Sequence, residues 1–386
     1  MHTNVKHGQL HIAETLKKLL SSVSAFVKNN VVLCIALSAA LITSVIVPPD
    51  RQYLSYFDWK TMTCLFCVLA VVNAFKNIRF FYVLAKKIVL LFKSTRTCIL
   101  ALAYVTFIGS MLIANDMALL TFLPLGYLVL TSTGKEKYMA FTFIMQNIAA
   151  NLGGMLTPFG NPQNLYLYSH FAIPTGEFIA TMLPPFCISV ALITICCLCV
   201  KKEPLCVLDE KIILPKGKTI IYSLLFALSI VIVFHGIPFY VGLIVIPLCL
   251  LFLDKKALAK VDYALLATFL AFFVFSGNMA RIPAVQNLFE KLMSGNTTLV
   301  SILSCQVISN VPSAILLSQF TSDYTGLLLG VNIGGVGTLI SSLASLITFR
   351  EYTKHNPKKT SSYIALFSAF NFGFLIILTL TTTLLF

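Results

Sequence analysis

Apolar residues run along this chain in long blocks, and polar residues gather between the blocks. Blocks near 20 residues are what a helix needs to cross a bilayer core about 30 Å thick. The pattern predicts spans at 31–47, 61–75, 178–200, 219–235, 238–253, 263–280 and 361–385. Four further blocks are interrupted. Blocks 97–131 and 297–320 read as hairpins, and blocks 139–170 and 325–349 read as helices broken in the middle. The hairpins turn at Ile113-Ala-Asn115-Asp116 and at Ile308-Ser309-Asn310-Val-Pro312. Asn favours a turn there, and Pro cannot continue a helix ladder.

The two broken helices carry matching sequences. Asn151-Leu-Gly-Gly-Met-Leu-Thr-Pro-Phe-Gly-Asn-Pro-Gln-Asn-Leu165 and Asn332-Ile-Gly-Gly-Val-Gly-Thr-Leu-Ile-Ser-Ser-Leu-Ala-Ser-Leu346 share Asn, both glycines, Thr and Leu, five of fifteen positions. In lipid, unpaired backbone is tolerated only where protein buries it or where it lines a wet cavity. Two interrupted segments in corresponding halves point to the binding site of a secondary transporter. A basic, aromatic stretch at 76–96 leads into the first hairpin, and 281–296 leads into the second. Each half thus reads span, interfacial helix, hairpin, broken span, final span. The halves start from opposite sides of the membrane, which makes an inverted-topology repeat. The match is imperfect, since the tip Asn precedes the broken-span Asn by 36 residues in the first half and 22 in the second. The predicted organisation is an amphipathic cytoplasmic segment at 1–30, a first repeat at 31–200, a cytoplasmic linker at 201–218 and a second repeat at 219–386.

Composition agrees with a membrane solvent. Hydrophobic residues make up 58% and charged residues 11%, with a mean hydropathy of +0.89, where a soluble domain has about 25% charged residues. The net charge of +14 raises the question of nucleic acid, but the charge follows loop position. With the N-terminus inside, 24 of the 28 Lys and Arg are cytoplasmic, and only Arg51, Lys60, Arg281 and Lys291 stay outside. That asymmetry is the positive-inside rule. It takes both hairpins as re-entrant, although two full crossings in 97–131 would leave the parity unchanged. Residues 9–28 read as a surface-lying helix with Lys17, Lys18 and Lys28 on its polar face. No small-residue cleavage site follows the first apolar run, so no secretory signal is expected. Cys64/Cys67 and Cys196/Cys199 have metal-like spacing but no His partners, and read as small apolar packing residues.

Candidate chemistry concentrates at the interruptions. Among fourteen Asp and Glu, Asp116 alone lies deep inside an apolar stretch, and an ionisable group at that depth is a functional hypothesis by default. The bland alternative is an Asp capping the second hairpin helix. Gln146, Asn147, Asn151, Thr157, Asn161, Gln163 and Asn164 crowd the first broken helix; Ser309, Asn310, Asn332, Thr338, Ser341, Ser342 and Ser345 crowd the second. Hard cations want such oxygens, and Gly153, Gly154, Gly334, Gly335 and Gly337 let backbone carbonyls turn inward. An anion would use the N–H groups of half-helix N-termini. Isolated polar residues in membrane helices more often bond helix to helix; the paired clustering favours a site. No Lys or Arg lies in either broken span or tip, which favours monovalent or neutral oxyacids, or a substrate accompanied by Na⁺, over citrate-like charge. His170 and His235 sit at outer span ends and read as interface residues. A Walker lysine motif, a Ser–His–Asp set and His-Glu-x-x-His are all lacking, so the chain reads as a non-enzyme.

Ala114-Asn-Asp-Met-Ala-Leu-Leu-Thr-Phe-Leu-Pro124 resembles the first hairpin tip of arsenite-pump membrane proteins in the ion transporter superfamily. Asn151–Asn164 is similar to that superfamily's Gly-Gly-x-x-Thr-x-x-Gly-[Asp/Thr/Asn]-Pro-x-Asn loop, and Ser309-Asn-Val-Pro312 and Asn332-Ile-Gly-Gly-x-Gly-Thr338 to its second-half motifs. The resemblance runs from about residue 31 to the end and includes arsenite permeases, citrate and divalent-anion symporters and a type of Na⁺/H⁺ antiporter. It implies an all-α polytopic homodimer, with a scaffold domain and a transport domain that moves as an elevator. Divalent-anion symporters carry Ser-Asn-Thr at both tips; this chain differs at Ala114, Asp116 and Val311. Asp116 sides with the arsenite-permease and antiporter branch.

The candidate binding residues in the first half are Asn115, Asp116, Asn147, Asn151, Gly153, Gly154, Thr157, Asn161, Pro162 and Asn164. In the second half they are Ser309, Asn310, Pro312, Asn332, Gly334, Gly335 and Thr338. Na⁺ is expected at Asn115, Asp116, Asn151, Asn310 and Asn332, and no cofactor beyond Na⁺ or H⁺ as coupling ion. The expected function is secondary transport of a small organic carboxylate or oxyanion across the cell membrane. The alternatives are a Na⁺/H⁺ antiporter and an arsenite-type efflux permease, alone or with a partner ATPase docked on the basic cytoplasmic face.

Overall fold

The structure, a computed structural model, describes Val27, residues 30–205 and residues 214–385. The amphipathic reading of 9–28 falls outside them, Val27 apart, as does 206–213 of the linker. Helices form where the apolar blocks lie, and no strand occurs among the described residues beyond one bridge between Ser94 and Pro204. In the first half α1 spans Val31–Ile46, α2 Trp59–Asn77, α3 Phe80–Val89, α4 Thr95–Ile113, α5 Asn115–Ser132, α6 Met139–Gly153, α7 Pro162–His170 and α8 Thr175–Leu198. In the second half α9 spans Lys216–Val233, α10 Phe239–Leu253, α11 Lys255–Ala259, α12 Tyr263–Ala280, α13 Pro283–Ile308, α14 Asn310–Leu317, α15 Tyr324–Ile333, α16 Leu343–His355 and α17 Thr360–Leu385. Among the described residues six segments, those of α2, α4, α8, α9, α12 and α17, are long and apolar enough to cross a membrane, and α1, α10 and α15 are shorter apolar helices.

All four interrupted blocks contain a break between helices. Helices α4 and α5 form a hairpin about Ala114, and α13 and α14 form one about Ser309. A 3₁₀ turn at Gly154–Leu156 and a short loop separate α6 from α7; residues 334–342 separate α15 from α16. The hairpins differ in size. At 1.5 Å per residue α4 is about 28 Å long and α14 about 12 Å. The helix leading into the second hairpin is separated from the hairpin arm by a kink within α13 at Asn296, φ −163°, ψ 96°. The Asn296 side chain accepts the N–H of Leu299 at 2.8 Å and so caps a fresh start to the helix.

Two packed groups result. One joins α1 to α12 and sets α9, α10 and α11 against α2. Buried Asn278 donates to Thr43 and Ser44 at 3.3 and 3.2 Å, and Arg281 meets Asp50 at 2.7 Å. The other contains both hairpins, both broken helices, α8 and α17. The seam between the groups runs where α7 lies on α2 and α14 on α12. At the base of the first hairpin, Glu203 binds Lys135 and Lys137, both at 2.6 Å, and Tyr138 at 2.8 Å, while its carbonyl accepts the N–H of Thr95.

Candidate functional site

The site begins at two strained turns. Ala114 has φ 66°, ψ 151°, and Ser309 has φ 74°, ψ 160°. That region belongs almost entirely to glycine, and a side chain there costs on the order of 1–3 kcal/mol. The same bonds hold both tips. Asn115 N–H donates to Gly160 O at 3.1 Å, and Asn310 N–H donates to Ser341 O at 2.9 Å. Each Asn then turns its Oδ1 onto the next N–H, that of Asp116 or Val311, at 2.9 Å. Thr157 donates to Met111 O at 2.7 Å, and Thr338 to Gln306 O at 3.1 Å. Counted from Asn151 and Asn332, Gly160 matches Ser341 and Thr157 matches Thr338. A methyl at Gly153 would strike Phe107 O and Ser110, and one at Gly334 would strike Cys305. Five to eight residues before each tip, the arms therefore pack directly onto a glycine.

The loops are braced differently. Asn164 Nδ2 lies 3.2–3.4 Å from the carbonyls of Gly154, Met155 and Thr157. Ser345 occupies the equivalent position in the second half, and Gln306 takes over the bracing. Its Nε2 donates to Gly334 O and Val336 O, and its Oε1 accepts Thr338 N–H at 2.9 Å. Gly337, at φ 128°, leaves room for that side chain.

At the centre the amides bind one another. Asn115 Nδ2 donates to Asn151 Oδ1 at 3.2 Å, Asn161 Nδ2 to Asn332 Oδ1 at 3.3 Å, and Asn332 Nδ2 to Asn164 Oδ1 at 2.6 Å. Backbone groups fix each orientation: Asn151 Nδ2 donates to Asn147 O, Asn161 Nδ2 to Asn151 O and Asn332 Nδ2 to Leu328 O. All five side chains are 3% exposed or less. A methyl on Gly335 would lie 3.2 Å from Asn310 Nδ2 and 3.6 Å from Asn151 Oδ1, so the second tip and the first broken helix meet over that glycine.

Two oxygens stay outside this pairing. Asp116 Oδ1 and Asn161 Oδ1 are buried without a partner, as are Gln146 Oε1 and Gln163 Oε1. Asp116 is the second residue of α5, and its helix is entered through Ala114 with no side-chain cap. The capping role open to it in the sequence is thus unfilled. Asp116 and Asn161 share a cleft of about 60 Å³ with Ala114, Pro162 and Leu343, so the N-termini of α5, α7 and α16 reach one space. Such termini carry positive partial charge. Pro162 and Pro312 both lie in first turns, where a missing N–H costs no helix bond.

Asn147 stands apart from the tips. It donates to Ser345 Oγ at 3.4 Å and Asn371 Oδ1 at 3.3 Å, joining α6 to α16 and α17. Asn371, Gln306 and Asp262 were not among the expected residues. Asn371 and Gln306 are isolated polar residues in apolar spans, a signal present in the sequence. Asp262, which also lines the cleft, sits at a span end and gave none.

A many-helix membrane protein with two tips bonded into two broken helices has the build of a transporter. The chain belongs to the citrate transporter family, whose family model matches residues 19–324. It is 37% identical over 300 residues to an uncharacterized transporter of Methanocaldococcus jannaschii, covering 76% of this chain and 81% of the relative. It is 29% identical over 311 residues to the inner membrane protein YbiR of Escherichia coli, covering 78% and 82%. The protein is a membrane transporter of this family.

Proposed function

We propose that the protein is a secondary active transporter that moves a small organic carboxylate or oxyanion, coupled to Na⁺ or H⁺. The observation that carries this reading is the buried, unpartnered Asp116 oxygen beside the N-termini of α5, α7 and α16. The carboxylate offers a place for a cation; the N-termini and Asn amides offer dipoles for an anion. Without Lys or Arg in either tip, the anion's charge is balanced by dipoles and by the accompanying cation. The recurrence of the tip bonds supports an inverted-topology repeat with two re-entrant hairpins. The two packed groups correspond to a scaffold (α1, α2, α9–α12) and a transport domain that moves past it as an elevator. The protein works as a homodimer in the cell membrane, with its N-terminus in the cytoplasm, where the basic loops lie.

The second reading is a Na⁺/H⁺ antiporter, which the same Asp116 oxygen favours. An arsenite-type permease with a partner ATPase rests on the basic face alone. Thermal unfolding of the purified protein separates the first two. A ligand that binds only the folded state stabilises by RT ln(1 + [L]/Kd). Symport predicts stabilisation by a carboxylate or oxyanion that grows with Na⁺ or with acidity. A Na⁺ effect that no anion improves, and that strengthens at high pH, supports antiport.

A further inference from the structure

The cleft at Asp116 has a second carboxylate. Asp262 lines it together with Asp116 and Asn161, but from the other side of the seam, as the residue that opens α12. Asp262 is exposed, whereas Asn161 is 1% exposed, so the cleft runs from the surface to the buried amide. Asn161 cannot turn its oxygen away, because its Nδ2 is held by Asn151 O and Asn332 Oδ1. Among the described residues neither Asp116 nor Asp262 forms an ion pair; Lys260, two residues before Asp262, donates to Asn77 at 3.2 Å.

One Asp262 oxygen accepts Leu265 N–H at 2.8 Å and caps α12. Capping needs no charge, since Asn and Ser cap about as well as Asp. Two like charges on one narrow cleft repel, and a cation between them removes that cost. Oxygens of two carboxylates and one amide are what a hard cation takes as ligands.

We propose that Asp262 is a second binding residue for the cation at Asp116, taking it at the open end of the cleft as it enters or leaves. This rests on the reading of Asp116 as the cation residue. During an elevator movement the two carboxylates would part, because they stand on opposite groups.

The test is the NaCl concentration that gives half-maximal thermal stabilisation of the purified full-length protein, with choline chloride holding ionic strength constant. Wild type, Asp262→Asn and Asp116→Asn are compared. Asp262→Asn keeps the cap and removes the repulsion, so its melting temperature without Na⁺ is equal to or above that of the wild type. Its half-saturating NaCl rises about threefold or more at low ionic strength, and Asp116→Asn loses the Na⁺ response. Asp262→Ser, which also keeps a capping oxygen, serves if Asp262→Asn purifies poorly. A wild-type value in these variants, with the response lost in Asp116→Asn, makes Asp262 a cap only and leaves the Asp116 reading standing. A response retained in Asp116→Asn, or absent from the wild type, overturns both.

Discussion

At the scale of single residues, the site divides into amides that hold each other and oxygens left over. Asn332 is the hinge of the first set, serving Asn161 on one side and Asn164 on the other. Asn332→Ala would leave the buried Asn164 Oδ1 without its donor, at roughly 1–3 kcal/mol, and would cut Asn161 Nδ2 to its single bond with Asn151 O. Thermal unfolding should show a clear loss of stability, larger than for Asn147→Ala, whose bonds are 3.3–3.4 Å long. Gly335 calls for a different outcome. A methyl there meets Asn310 Nδ2 and Asn332 O, both at 3.2 Å, which small shifts of the side chain and of the loop relieve, so Gly335→Ala should fold while its ligand-induced stabilisation falls. The sequence marked these residues because Asn and Gly are rare inside apolar runs. It could not say which Asn pairs with which, since partners lie up to 224 residues apart. Nor could it single out Asp262, whose placement depends on α12 meeting α5 and α7 across the seam.

At the scale of elements, the tips carry strain that both halves keep in the same place. Ala114→Gly and Ser309→Gly relieve a cost on the order of 1–3 kcal/mol and lose about 0.5–1 kcal/mol to glycine's entropy. Each should raise the melting temperature slightly while lowering ligand affinity, because the tip then samples other turns. A fall in stability would show that the turns are unstrained. The hairpins and broken helices were legible because Gly-Gly, Asn and Pro interrupt otherwise continuous apolar blocks. The start of the second hairpin at 297 was legible as well, because Asn296 stops one helix and caps the next. Further down the first hairpin, Lys135, Lys137 and Tyr138 hold the Glu203 carboxyl at about 2, below its ordinary value of 4.5. A lowered carboxyl pKa stabilises the folded state fully above the ordinary value, and that contribution is lost as pH falls from about 4.5 toward 2. Protection of the Thr95 and Leu205 amides, bonded to this segment, relative to the intrinsic exchange rate at each pH should fall over that window, and Glu203→Gln should show the lower protection already at neutral pH.

At the scale of the whole molecule, two openings lie along one seam, one at the start of α7 and one toward its end. The first, about 60 Å³, holds Asp116 and Asp262; the second, about 310 Å³, holds His170, Arg281 and Gln319. Tyr166 on α7 lines the second opening and meets the ring of Phe273 on α12 across the seam at 5.6 Å, tilted by 43°. If the groups slide past each other, a short thiol cross-link between Tyr166→Cys and Phe273→Cys, in a background without the eleven native cysteines, should stop transport and leave ligand-induced stabilisation in place. Transport that survives cross-linking would contradict movement along this seam. The central claim is ion-coupled transport through Asp116, and proteoliposome uptake tests it most directly. Purified wild type and Asp116→Asn would be given radiolabelled small carboxylates, citrate and oxyanions under an imposed Na⁺ or H⁺ gradient. The account predicts accumulation of at least one anion only while a cation gradient is present, with Asp116→Asn at the level of protein-free vesicles. Accumulation by Asp116→Asn equal to the wild type, or no accumulation under any gradient, would contradict it.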